Sequence, residues 1–239
     1  MKINEELKIL SERLEEIFHK VYEILKNKEL TDRTLDYEVL NILKKYEIAE
    51  DNLKIKFSEP NDEIYSVEGG RTPYDLLCYG KINKKEFVIF INNKYGNLNS
   101  TARNDVTTYN NLLRLYLGID KQRLTSKITI DGDLIYRRVS GKEIVAYAVF
   151  VVDNKKRGFN FFLLEEIYDE FYINPRNTMF QIKYRPSIES PMDYYSFVIK
   201  LINSILKSLQ KSINSIETEI IVLNAIKEQI LKLKGTEHE

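Results

Sequence analysis

Cysteine and histidine are scarce in this chain of 239 residues, and their scarcity excludes several kinds of site. Cys78 is the single cysteine, and His19 and His238 are the two histidines. One cysteine forms no disulfide within the chain, and two histidines so far apart do not make a zinc cluster. A Cys-based metal site is therefore excluded, and we expect a reducing, cytoplasmic location.

An excess of charge of one sign is also lacking, because 36 basic residues balance 36 acidic ones. A nucleic-acid partner must therefore be argued from local patches and not from net charge. No stretch approaches 18 uncharged apolar residues, and no apolar run like a secretion signal follows Met1, so we expect no membrane partner. Hydrophobic residues make up 43% of the chain, which is enough for a sizeable core.

Internal repeats and linkers rich in Pro, Gly or Ser are absent as well, so we expect one domain over 1–239. It would have a helical part at 1–50, a sheet at 65–185 and C-terminal helices at 190–234. Apolar residues at helical spacing predict helices, and apolar runs predict strands. The helices are predicted over 3–27, 101–117 and 192–233, and the strands over 74–79, 86–92, 144–152, 159–164 and 180–184. This order predicts an α/β or mixed α+β fold, with a central mixed sheet flanked by helices.

The most informative stretch is TPYDLLCYGKINKKEFVIFINNK, over residues 72–94. Asp75 lies two residues after Pro73, and the next predicted strand ends in Asn92-Asn93-Lys94. The segment KINKK between the two strands predicts a turn, so the strands form a hairpin. Side chains alternate along a strand, so Asn92 and Lys94 point to the same face.

This spacing resembles the motif of the PD-(D/E)xK nuclease superfamily, which includes type II restriction endonucleases. The resemblance implies a Mg²⁺-dependent enzyme that hydrolyses phosphodiester bonds of double-stranded DNA. Mg²⁺ prefers oxygen ligands, acidifies water and polarises a phosphoryl oxygen, while a lysine positions or deprotonates that water. By resemblance, Asp75 is the central metal ligand, position 92 and the Asn93 main-chain carbonyl are further ligands, and Lys94 acts on the water.

Position 92 departs from the family pattern, because the family usually carries Asp or Glu where this chain has Asn92. Two interpretations stay open. Asn92 is the natural residue and another acid compensates, or it is an engineered Asp-to-Asn change that keeps bound DNA uncut. A further acid often comes from an upstream helix in this superfamily. Glu38 is the predicted acid, and Asp36 is the alternative. Glu38 could equally be an ordinary solvated acid on the surface of the helix.

Two polar segments supply predicted DNA contacts. The segment from Gly96 to Asn111 is rich in Asn, Thr and Ser, and residues 171–185 read FYINPRNTMFQIKYR. The second is similar to the C-terminal part of the Swa-type restriction endonuclease, an enzyme that cuts DNA at an AT-rich site of eight nucleotides. This resemblance covers roughly residues 30–230. Residues 181, 183 and 185 would share one strand face. The predicted DNA contacts, for which a solvated loop or strand face is the alternative, are Arg103, Asn104, Arg176, Asn177, Gln181, Lys183 and Arg185.

Three hypotheses about function follow. The first is a homodimeric type II restriction endonuclease that cuts a palindromic site, because two-fold protein symmetry matches two-fold DNA symmetry. The second is a less specific nuclease of the same fold, for repair, junction resolution or defence. The third is a DNA-binding module that has lost cleavage, which Asn92 favours. Metal-dependent cleavage separates the third hypothesis from the other two.

Overall fold

The computed structural model describes residues 4–31, 34–60, 73–117, 142–155, 157–174, 177–211 and 217–236. The strands are β1 (Ile48–Ala49), β2 (Leu53–Ser58), β3 (Leu76–Ile82), β4 (Lys85–Gly96), β5 (Asn104–Thr108), β6 (Ile144–Asp153), β7 (Phe159–Leu163), β8 (Tyr172–Ile173) and β9 (Met179–Ile182). The helices are α1 (Glu5–Leu25), α2 (Leu35–Leu43), α3 (Tyr109–Leu117), α4 (Tyr194–Gln210) and α5 (Glu217–Thr236).

The central sheet has six strands in the order β1-β2-β3-β4-β6-β7. The neighbours pair antiparallel except β4 and β6, which run parallel, so the sheet is mixed as predicted. All ten residues of β6 are buried, because helices cover both faces of the sheet. This burial explains the unbroken apolar run IVAYAVFVV, since a strand buried on both faces does not alternate.

Helices pack against both faces of this sheet. The buried side chains of α1 and α2 form one core cluster with one face of the central strands. The buried side chains of α3, α4 and α5 form a second cluster with the opposite face. The predicted central mixed sheet flanked by helices is thus confirmed. Within the described ranges, no helix is both long and apolar enough to cross a membrane.

The hairpin of β3 and β4 brings Asp75 and the segment Asn92-Asn93-Lys94 together through a two-residue turn. Asn83 and Lys84 form this turn with φ angles of 47° and 71°. Two positive φ angles suit the right-handed twist of a tight hairpin, so the predicted turn is confirmed. The register pairs Leu76 with Ile91. One residue earlier, the Asp75 N–H donates to the Ile91 carbonyl at 2.8 Å, which holds Asp75 beside residues 91–93 of β4.

The predicted helix over 101–117 is wrong in its first half. Residues Asn104–Thr108 form β5, and α3 begins only at Tyr109. β5 pairs with β9, which also pairs with β8, in a second, three-stranded sheet. The β-branched residues of β5 favour a strand, and pairing with β9 outweighs the helical spacing of its flanks. The Thr108 hydroxyl accepts the Asn111 N–H at 3.2 Å and so satisfies a donor at the start of α3.

The expected shared strand face of residues 181, 183 and 185 is also wrong, because β9 ends at Ile182. Beyond it the chain bends, and the Tyr184 carbonyl accepts from the Asn160 side chain at 2.8 Å. Gln181 alone of the three therefore lies on the strand. Lys183 and Arg185 are exposed in the following segment, just ahead of Pro186.

A fully buried carboxylate lies in the short 3-10 helix Leu164–Glu166. Glu165 accepts a hydrogen bond of 2.5 Å from the Tyr116 hydroxyl of α3. Burial raises the pKa of Glu165 to about 8, against the opposing effect of this hydrogen bond. Glu165 does not line the cleft described below, so its role is to join α3 to the sheet.

Candidate active site

An open cleft of about 640 Å³ lies where the β3–β4 hairpin, α2 and the second sheet meet. The strand register brings Asp75 to this point, α2 supplies its first turn, and β5 and β9 supply the opposite wall. The residues that line the cleft are Leu35, Asp36, Asp75, Asn93, Lys94, Tyr95, Arg103, Asn104, Asp105, Gln181 and Tyr184.

Asp75 lies half-buried at the base of the cleft. Its Oδ2 accepts the main-chain N–H of Asn93 at 2.7 Å. Burial, followed by the negative charge of Asp36, raises the pKa of Asp75 to about 6, while the Asn93 N–H and Lys94 act in the opposite direction. A carboxylate that is hard to ionise beside a second carboxylate is typical of a site that holds a cation.

Asp36, and not Glu38, is the acid that α2 brings to this site. The Asp36 Oδ1 accepts a hydrogen bond of 2.8 Å from the Asn93 side-chain amide. Glu38 does not line the cleft and forms an ion pair with Lys28 instead. Residues two apart on a helix do not share a face, so these two acids point in different directions. Asp36, which the sequence left open as the alternative, therefore lies in the cleft, whereas the predicted Glu38 does not.

Asn92 and Asn93 project from opposite faces of β4, and the side chains of both are buried. The Asn92 amide hydrogen-bonds to the Tyr147 hydroxyl, which itself donates to the Pro73 carbonyl at 2.7 Å. The side-chain Oδ1 atoms of Asn92 and Asn93 are buried and, among the described residues, have no hydrogen-bond partner. Such unpaired oxygens are costly in a protein interior and are available as ligands.

Lys94 extends the same strand into the cleft. Its side chain is partly buried, and its charge lowers the pKa of Asp75. Asn92 and Lys94 share one face of β4 by the alternation of side chains along a strand, and Asp75 and Lys94 line the same cleft. Two carboxylates and one ammonium group thus converge from three elements.

Oxygen atoms dominate the possible metal ligands of the cleft. The described residues contain no group of three His, Cys, Asp or Glu side chains that could hold a metal ion. Among the described residues, the donors that line the cleft are the Asp75 and Asp36 carboxylates and the amide or carbonyl oxygens of Asn93, whereas the predicted ligand Asn92 lies outside the cleft lining. Oxygen donors of this kind, completed by water, fit Mg²⁺, which keeps several waters and uses one or two carboxylates.

The predicted DNA contacts divide into two groups. Arg103, Asn104 and Gln181 line the cleft, and the Arg103 guanidinium lies over the Tyr172 ring at 4.5 Å. Lys183 lines a smaller neighbouring cavity of about 150 Å³. Arg185 is exposed outside both linings.

Asn177 lies in the turn between β8 and β9, where its Oδ1 accepts the Met179 N–H at 3.1 Å. It lines neither the cleft nor the smaller cavity, so its described role is local. Arg176 lies outside the described residues.

Two lining residues were missed by the sequence analysis. Asp105 and Tyr184 both face the cleft. The predicted helix over 101–117 concealed Asp105, although the alternation of exposed Asp105 and buried Val106 is typical of a strand. Tyr184 gave no such signal, because its place depends on contact with Gly96 across the molecule.

Comparison with known proteins identifies the family of the chain. No family model matches the chain. A curated protein of Methanocaldococcus jannaschii, the type II restriction enzyme MjaIV, is 65% identical over 237 residues, which is 99% of this chain and 97% of that relative. This identity extends over nearly the whole length of both proteins and is not confined to one shared segment. The chain therefore belongs to the type II restriction enzymes.

Proposed function

We propose that the chain hydrolyses phosphodiester bonds of double-stranded DNA at a specific, palindromic site, in a reaction that depends on Mg²⁺. The observation that carries the proposal is the convergence of Asp75, Asp36 and Lys94 in one open cleft. Membership of the type II restriction enzymes supports DNA as the substrate. The paired strands around Asp75 and Lys94 support a place in the PD-(D/E)xK superfamily.

The carboxylates of Asp75 and Asp36 are the proposed charged ligands of the metal. The Oδ1 atom or the main-chain carbonyl of Asn93 would supply a neutral oxygen donor, and the unpaired Oδ1 of Asn92, which lies outside the cleft lining, is a further candidate. When bound, Mg²⁺ supplies charge for the scissile phosphate and lowers the pKa of water. We assign the role of the missing acid at position 92 to Asp36, so that Asn92 is natural and compensated.

Lys94 has three N–H donors and lies beside Asp75. It would orient the attacking water and donate to a non-bridging phosphate oxygen as negative charge develops there. In the reaction the water loses a proton to the solvent and its oxygen bonds to phosphorus, while the bond from phosphorus to one ester oxygen breaks and that oxygen takes up a proton from the solvent. The hydrogen bond from the Asn93 N–H to the Asp75 Oδ2 would fix the orientation of the Asp75 carboxylate during this step.

A homodimer is the proposed assembly, because a palindromic site presents the same cleft with two equivalent phosphates. The candidate contacts Arg103, Asn104 and Gln181 line the cleft and Lys183 lines the neighbouring cavity, which supports contact with duplex DNA there, while Arg185 stays a predicted contact outside both linings. The AT-rich octanucleotide target of the Swa-type resemblance and a cytoplasmic location stay predictions.

The test is a digest of a large duplex DNA with the protein and Mg²⁺, followed by sequencing of the fragment ends. We expect discrete bands that EDTA abolishes, with equal cutting by a Lys56→Ala control and at least about 100-fold slower cutting by Lys94→Ala. Lys56 is an exposed lysine of β2 outside the cleft lining.

An Asn92→Asp variant separates the remaining interpretations. Bands from this variant alone would show that Asn92 disables the site and that Asp36 does not compensate. A smear from both proteins would favour a less specific nuclease. Tight duplex binding without cutting by either would favour a binding module, and neither binding nor cutting would overturn the proposal.

A further inference from the structure

Asp105 brings a negative charge to the wall of a cleft that would hold a polyanion. It is exposed, it lines the cleft, and its Oδ1 accepts a hydrogen bond of 2.5 Å from the Gln181 side-chain Nε2. Within the described part of the chain, no lysine or arginine forms a salt bridge with Asp105. An acid in this position repels phosphates, so contact with the DNA backbone does not explain it.

The strand register aims this pair at the cleft. β5 and β9 run antiparallel with Asp105 opposite Gln181, and the register shifts between Asp105 and Thr107. The shift leaves Val106, which is buried, as an extra residue in β5. Bulges of this kind bend a strand and redirect a side chain, often beside a functional site. Asp105 and Gln181 therefore project together on the cleft side of the second sheet.

A metal-binding role for Asp105 does not fit the arrangement. Asp105 lines the same cleft as Asp36 and Asp75, but the described residues contain no group of three His, Cys, Asp or Glu side chains that could hold a metal ion, so Asp105 does not join that pair as a third ligand. Gln181 adds no charge that a cation would need. What remains is a carboxylate and an amide that hold each other in a fixed orientation and line the cleft that would hold the DNA.

We propose that Asp105 and Gln181 form a base-reading pair that recognises one base pair through an exocyclic amino group in the major groove. The inference rests on the proposed function and names the specificity element of the same site. Because Gln181 donates one Nε2–H to Asp105, its amide orientation is fixed, with Oε1 as acceptor and the second N–H as donor.

The free Oδ2 of Asp105 adds a second acceptor next to the glutamine. An acceptor-rich pair of this kind matches an amino-bearing edge, either cytosine N4 or adenine N6 with its neighbouring N7. Thymine and guanine present oxygen acceptors at the corresponding position, and a carboxylate would repel them. The pair thus discriminates by attraction to one edge and by repulsion of the others.

The test compares the protein, Asp105→Ala and Gln181→Ala on a duplex library randomised around the mapped cut site, with the ends of all products sequenced. We expect both variants to lose discrimination at the same base-pair position of each half-site by roughly 10- to 100-fold, with the other positions unchanged. Asp51→Ala is the matched control, because Asp51 is an exposed acid outside the cleft lining, and its preferences should equal those of the protein.

A base analogue supplies an independent readout at the affected position. Purine in place of adenine, or 2-pyrimidinone in place of cytosine, removes the amino group and identifies which base is read. The analogue should slow the protein by a similar factor and leave Asp105→Ala unaffected. Uniformly slower cutting with unchanged preferences in both folded variants would overturn the inference, whereas failure of the protein itself to cut would overturn the proposed function.

Discussion

The surroundings of Asp75 have opposing effects on the pKa of its carboxyl group. It is partly buried next to Asp36, which disfavours its charge, yet it accepts the Asn93 N–H and lies near Lys94, which favour the charge. The balance leaves its pKa at about 6, above the ordinary value of 3.8. Between these two values the folded protein holds more protons at Asp75 than the unfolded chain. The free energy of unfolding therefore falls as pH rises through this window, and the loss persists above it.

We therefore predict that Asp75→Asn stabilises the metal-free protein at pH 7.5 while it abolishes cutting. The variant keeps an acceptor for the Asn93 N–H and removes a disfavoured charge, so the free energy of unfolding should rise by about 1–3 kcal/mol. Urea unfolding in EDTA at pH 7.5 and pH 4.5 measures the change. The gain should shrink toward pH 4.5, where Asp75 is protonated in the folded state.

An Asp51→Asn control, which removes an exposed carboxylate, should leave stability nearly unchanged at both pH values. If Asp75→Asn were no more stable than the unmodified protein at pH 7.5, the charge on Asp75 would not destabilise the folded state. Asp75 would then lack the property typical of a site that a cation completes.

At the scale of elements, α2 decides which acid reaches the site. Asp36 and Glu38 both belong to its first turn, but only Asp36 lines the cleft and contacts Asn93. Glu38 is held by Lys28, which is an ordinary surface interaction worth about 0–1 kcal/mol. The helix thus offers a matched pair of substitutions that differ mainly in the direction of the side chain.

We predict that Asp36→Asn slows DNA cutting by at least about 100-fold and that Glu38→Gln changes it by less than about threefold, because only Asp36 contributes charge to the metal. Cutting rates at saturating DNA over a range of Mg²⁺ concentrations measure both. Asp36→Asn should also need more Mg²⁺ for half-maximal rate. The reverse order of the two variants would restore Glu38 as the helix acid.

The sequence was most informative about local elements. The hairpin of β3 and β4 and the shared face of Asn92 and Lys94 were predictable, because the apolar run, the turn residues and the strand alternation that indicate them all lie within residues 72–94. The parallel contact of β4 with β6 was not predictable in the same way, because the paired positions are 57 residues apart in the chain. For the same reason neither the strand β5 nor the approach of Asp36 to Asn93 was evident. Both depend on partners far away along the chain, and tertiary pairing outweighs local propensity.

At the scale of the whole molecule, charge is balanced overall and unevenly distributed in the cleft. The chain has equal numbers of acidic and basic residues. Among the described residues that line the cleft, the aspartates at positions 36, 75 and 105 outnumber the cations Lys94 and Arg103. Without a metal the lining therefore carries an excess of negative charge, which opposes DNA. A divalent cation at Asp36 and Asp75 would reverse the sign of this excess.

We therefore predict that duplex DNA containing the cut site binds weakly to the metal-free protein and about 10- to 100-fold more tightly with a divalent cation at 0.1 M salt. Ca²⁺ is the suitable probe, since it takes the same oxygen ligands with looser geometry than Mg²⁺. Fluorescence anisotropy measures the affinity, and a gel of the same samples reports any cutting. Asp51→Asn should behave as the protein does.

Asp75→Asn turns this dependence into a sharper comparison. Removal of one negative charge from the lining should strengthen binding in EDTA, while loss of a ligand should remove most of the tightening by Ca²⁺. The two effects have opposite signs, so a general loss of folding does not imitate them. If the metal-free protein bound the duplex as tightly as the Ca²⁺ form, the charge of the cleft would not control DNA entry, and basic residues outside the lining would have to supply the attraction.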